Sequence, residues 1–160
     1  MAHPEVPTLF EWLGGMDPLR ALTKRFYEKV PTVPLLEPIF AHMGPDHPEH
    51  VALFLAEVLG GPKEYSERLG GHPEMVRHHL GKHITDAQRK AWMGLLLETA
   101  DELGLPGDPE FRSAIVGYLE WGSRLAVVNS KGGEVVVDEK AAMPEWGWGQ
   151  VGGPYIPPQA

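Results

Sequence analysis

Two pairs of adjacent glycines, Gly60-Gly61 and Gly70-Gly71, with Pro62 and Pro73 just after them, break up the middle of this chain. Glycine gives up the most backbone entropy in a helix, and proline lacks the N–H that a helix needs, so no long element can run through residues 60–73. The glycine pairs are expected to cut out a loop. A short helical piece then follows from about Pro73 to Leu80, carrying His78 and His79, and Gly81 turns the backbone sharply after it. A helix that short is marginal in water by itself. Any fold containing it must hold it from outside.

The rest of the chain reads as amphipathic helices with identifiable ends. Leu9-Phe10-Glu11-Trp12-Leu13 stops at Gly14-Gly15. Asp17-Pro18 reads as an N-cap followed by proline at the first helical position, opening a helix to Val30. Its stripe of Leu19, Leu22, Phe26 and Val30 makes one buried face, with Tyr27 beside it. Pro31, Pro34 and Pro38 chop the next stretch into turns around Leu35, Leu36, Ile39 and Phe40. Asp46 with Glu49 resembles a capping box. The run Val51–Ala56 that follows is apolar almost all round, so it should be buried on more than one side, one of them facing something apolar that is not protein.

Thr85 with Gln88 repeats the capping-box pattern and opens a helix to about Leu103, with Trp92, Leu95, Leu96, Thr99 and Leu103 inward. Its stop is read as the whole Gly104–Gly107 run rather than Gly104 alone. Asp108-Pro109 caps a last helix whose face is Phe111, Ile115, Tyr118, Leu119, Gly122, Leu125 and Ala126. No strong strand precedes residue 130. The expected class is all-α.

The 160 residues suit one domain with a real core. A formal charge of −8, from 14 basic and 22 acidic residues, repels phosphate backbones and argues against a nucleic-acid partner. Without cysteine there is no disulfide, thiolate nucleophile or iron–sulfur cluster, which fits a reducing cytoplasm. The N-terminus lacks a signal-like pattern, and no apolar run approaches the roughly 18 residues of a membrane span, so a soluble protein is expected. Residues 1–130 form the expected helical domain and 131–160 an irregular extension. In that extension Val135-Val136-Val137 suggests a short extended piece. Trp146 and Trp148 suggest a tail laid along the helices, with a partner-binding peptide as the alternative.

His79 is the first candidate for chemistry. Met75 lies one turn earlier on the same face, and a neutral imidazole at the end of a glycine-bounded helix suits the axial ligand of a flat metal cofactor. His78 projects about 100° away on the same helix, and His83 lies past its end. His79 and His83 also have zinc-ligand spacing, but Gly81 interrupts the helix between them and no HExxH pattern is present.

The segment Gly71-His72-Pro73, His78, His79 and Ile84, with Trp92 thirteen residues after His79, resembles the proximal side of a group II truncated haemoglobin. The likeness covers about residues 8–130 and extends to the Phe26-Tyr27 pair and the aromatic Phe40. It implies a two-over-two helical sandwich holding haem b, with His79 as the iron ligand. Phe40, Val51, Phe54, Met75, Ile84 and Trp92 would contact the haem, and His50 would meet a propionate. Tyr27, Trp92 and His47 would face the ligand side, where a phenol or indole N–H can donate to dioxygen carrying partial negative charge. Two features depart from the pattern: Lys82 stands where an aromatic is usual, and the tail after 130 has no counterpart.

The resemblance implies an oxygen-binding globin that takes dioxygen or another small diatomic ligand. So many donors suggest sensing, or redox chemistry of the peroxidase or nitric-oxide-detoxifying kind, which would need a reductase that the sequence does not identify. A homodimer is left open. Two other readings stand beside it: a haem-free helical interaction module, and a zinc site.

Overall fold

The computed structural model describes residues 6–131 and 137–149. Among them are eight α-helices: α1 Leu9–Leu13, α2 Met16–Lys29, α3 Glu37–Phe40, α4 His47–Val58, α5 Glu64–Leu69, α6 Gly71–His79, α7 Asp86–Glu102 and α8 Pro109–Ser130. A 3₁₀ turn, Val30–Thr32, follows α2. No strand occurs among the described residues. The pair α2/α4 lies over the pair α7/α8, with α2 packed on α4 and on α7. This is the two-over-two arrangement.

The core forms where these pairs meet. Leu19, Leu22, Phe26 and Val30 are all buried, so the α2 stripe packs as its spacing requires. In α4 the residues from Ala52 to Val58 are all buried. Ala52 joins the helical core, whereas Val51, Phe54 and Leu55 border a cavity. That accounts for a helix apolar on nearly every side.

Several helix ends differ from expectation. The N-cap of α2 is Gly15, at φ 89°, and Asp17 and Pro18 lie inside the first turn. Asp46 does cap α4, but without a side-chain bond, and Glu49 forms no capping box. Glu49 is drawn instead into a two-pronged ion pair with Arg20, at 2.9 and 3.1 Å. The helix α7 ends in a Schellman motif. Gly104 takes φ 70° and donates to Asp101, while Leu105 donates to the Ala100 carbonyl at 3.0 Å. Gly104 alone therefore stops the helix, and Leu103 is turned outward, 39% exposed. The stretch between the glycine pairs is not all loop. It contains α5, whose Ser66 N–H and hydroxyl both donate to the buried Glu57 carboxylate.

Two expectations hold in detail. Thr85 and Gln88 form a reciprocal capping box on α7. Asp108 caps α8, accepting from the Phe111 N–H at 2.9 Å through one oxygen and from the Trp12 indole at 2.9 Å through the other. The extended piece expected at 135–137 lies mostly outside the described residues. No helix among them is long and apolar enough to cross a membrane.

Because Asp108 serves both a helix end and a distant indole, Asp108→Ala should destabilise the fold by about 2–3 kcal/mol. Asp108→Asn, which keeps one acceptor oxygen, should cost about half as much. Urea unfolding followed by far-UV circular dichroism measures both.

Candidate functional site

The helix α6 has no side-chain N-cap, begins at Gly70 and Gly71 (φ 95° and 67°) and is followed by Gly81 at φ 75°. It rests on α5 and α8. Its last residue, His79, points its Nδ1 at the Met75 carbonyl, 2.8 Å away. Since a carbonyl only accepts, Nδ1 carries the proton and Nε2 keeps its lone pair. Burial lowers the His79 pKa, more than the Met75 bond raises it, which favours the neutral ring. This is the state a ligating imidazole needs.

His79 lines a cavity of about 490 Å³, within the range of small-molecule and cofactor sites. Phe40, His47, His50, Val51, Phe54, Met75, Ile84 and Trp92 line the same space, so nine of the ten residues singled out in the sequence meet there. Tyr27, the tenth, does not reach the wall. It is buried behind His47, its hydroxyl 3.1 Å from His47 Nε2. The Trp92 indole also hydrogen-bonds the Tyr27 oxygen. The phenol O–H is thus left to donate to His47 Nε2, which puts the His47 proton on Nδ1. The rings of Phe26, Tyr27, Phe40 and His47 meet edge to face or tilted, with centroids 4.8–5.8 Å apart. Burial raises the Tyr27 pKa, so the phenol stays protonated. Burial first, and the nearby His78 next, lower that of His47 to about 4, so this ring is neutral.

The wall also includes residues not anticipated from the sequence. Tyr65 and His72 stand on α5 and α6, and Tyr118, Trp121 and Asn129 on α8, with Pro144 from the tail. The 3.6-residue pattern of α8 could have found Tyr118, but periodicity does not distinguish a face on protein from one on a cavity. His72 Nδ1 is a buried polar atom with no hydrogen-bond partner, the one such side-chain atom among the described residues. Lys82, the departure noted in the sequence, lies at the rim and reaches toward the Ile39 carbonyl at 3.5 Å.

The competing histidines are placed differently. His78 also borders the cavity, but it is mostly exposed and lies 3.5 Å from Glu74. His83 is outside α6, in a left-handed conformation at φ 50°. No group of three or more histidine, aspartate or glutamate side chains among the described residues is gathered as a metal ion would need.

Comparison with known proteins agrees with this geometry. The family model described as bacterial-like globin matches residues 8–119. The group 2 truncated hemoglobin YjbI of Bacillus subtilis is 36% identical over 110 residues, 69% of this chain and 81% of that protein. Among solved structures, the group II truncated hemoglobin from Bacillus anthracis superposes with a TM-score of 0.69 at 30% identity, covering 77% of this chain and 92% of that one. The truncated oxygen-avid haemoglobin from Bacillus subtilis gives a TM-score of 0.67 at 34% identity, covering 76% and 99%. The segment after residue 130 lies beyond the family match. By its fold, its cavity and these likenesses, the chain belongs to the bacterial-like globins, as a truncated haemoglobin of the second group.

Proposed function

We propose that the cavity holds haem b through His79 and that the protein binds dioxygen with slow release, as a sensor or redox globin rather than a bulk carrier. The observation that carries this reading is the His79–Met75 hydrogen bond, which leaves a neutral imidazole with a lone pair on a cavity wall. Haem-binding and oxygen-binding are the common ground of the truncated globin family. The residues present suit the cofactor. Phe40, Val51, Phe54, Met75, Ile84 and Trp92 offer apolar and aromatic contact, and the partnerless His72 Nδ1 waits in the wall for a polar group. His50, with Lys82, would meet a propionate at the rim. Bound haem supplies an iron centre with an open position for a diatomic ligand.

On the ligand side, His47 and Trp92 face the cavity and Tyr27 holds both from behind. The neutral His47, its Nε2 held by the Tyr27 hydroxyl, offers its Nδ1–H as a donor fixed before any ligand arrives, so little reorganisation is needed to meet partial negative charge. Each bond to the ligand contributes about 1–2 kcal/mol, and ~1.4 kcal/mol slows release tenfold. Slow release favours sensing, or turnover of oxygen, nitric oxide or peroxide with an external reductase, over transport. A cysteine-free chain would serve well in a reducing cytoplasm, where we place it.

His79→Ala should abolish the Soret band of protein expressed with haem available, while His83→Ala should keep it; a retained band in His79→Ala would show that another residue is the ligand. Tyr27→Phe, which removes the hydroxyl that holds His47, should raise the oxygen dissociation rate by about tenfold or more in stopped-flow measurements. An unchanged rate would remove the basis for slow release.

Stability should also depend on pH through His47. Its pKa of about 4 in the folded chain lies below the ordinary 6.5. Between those values the unfolded chain takes up a proton that the folded chain refuses, so stability falls as pH drops through this window and levels off below it. His47→Gln removes that contribution. The variant should lose about 2 kcal/mol less than wild type between pH 6.5 and 4, allowing for partial solvent screening. Urea unfolding of the haem-free proteins at each pH checks it.

A further inference from the structure

We propose that the C-terminal segment, pinned by Trp146, is a fixed wall of the haem cavity and determines how tightly the cofactor is retained. Pro144 lines the cavity directly. Two residues on, the Trp146 N–H donates to the Val58 carbonyl at 2.8 Å, satisfying one of the end carbonyls of α4. The Trp146 indole packs on Tyr118 and Trp121, with centroids 5.6 and 5.7 Å away. Both of those rings line the cavity from α8. One anchor therefore fixes Pro144 and backs two further wall residues.

Trp148 supplies a second anchor. Its indole donates to the Pro7 carbonyl at 2.7 Å, and its ring meets Trp12 and Phe111 edge to face. At the other end of the segment, Glu139 forms an ion pair with Arg77, two residues before His79 on α6. The segment thus links the helix that bears His79 to the end of α4 and to the rings of α8. This matters because α6 otherwise rests on α5 and α8 and has no side-chain cap. A tetrapyrrole leaving past Pro144 would have to break the Trp146 anchor, and a loosened anchor would also slacken α6.

The proposal rests on the haem reading, so wild-type protein must first show its Soret band; its absence would sink that reading whatever the tail variants do. Haem loss is then measured by transfer from the full-length holoprotein to excess apomyoglobin. Trp146→Ala should speed the loss by about tenfold or more, since truncating a packed aromatic removes more than the ~1.4 kcal/mol equivalent to a factor of ten. Trp146→Phe, which keeps a ring against Tyr118, should restore most of the retention. A rate for Trp146→Ala within about twofold of wild type overturns the proposal. Should that variant fail to fold by circular dichroism, Pro144→Gly, which leaves both anchors intact, is read against the same threshold.

Discussion

Ser130 is fully buried, and its polar groups are spent on the loop that follows α6. Its carbonyl accepts from the His83 N–H at 2.8 Å and its hydroxyl from the Ile84 N–H at 2.9 Å, while that hydroxyl donates to Val127. The end of α8 thereby fixes the backbone immediately beyond His79, including His83 in a left-handed conformation that few residues adopt unaided. A nine-residue helix with glycine at its ends has little stability of its own. Its position, and so that of the imidazole, is set by the elements that clamp it.

The opposite wall obeys the same principle. Phe26 and Tyr27 are buried neighbours on α2: the Phe26 ring meets Trp92 of α7 edge to face, and the Tyr27 ring meets His47 of α4 in the same way. The Tyr27 hydroxyl takes a hydrogen bond from Trp92 and meets His47. Three elements distant in sequence supply one polar chain surrounded by aromatic rings. Burial keeps every member neutral, so the array presents donors without fixed charge. A charged group here would have to be paired or would titrate.

Much of the fold was legible along the chain because its signals are local. The α2 stripe, the Thr85–Gln88 capping box and the Asp108 cap depend on residues three or four apart, and each packs as read. The failures have two causes: a partner supplied from elsewhere in the sequence, or a turn whose exact position periodicity leaves open. Glu49 pairs with Arg20, 29 residues away in sequence, and forms no capping box on α4. Leu103 would have faced inward had Gly104 not closed the turn just after it. The helix α5 went unseen because its stability comes from Glu57, seven residues before it, whose carboxylate holds Ser66.

The candidate site divides along the same line. Residue order alone determined that a short, glycine-bounded helix ends near His79 and that α4 is apolar nearly all round, while the significance of the aromatic pair and of Trp92 follows from the family resemblance. The first two are matters of covalent order, periodicity and backbone freedom. Tertiary structure decided that Tyr27 stands behind His47 rather than on the wall, that His72 has a buried nitrogen without a partner, and that Pro144 closes the cavity from 65 residues beyond His79. Those outcomes depend on which surfaces meet when the helices pack, and a linear pattern carries no record of that.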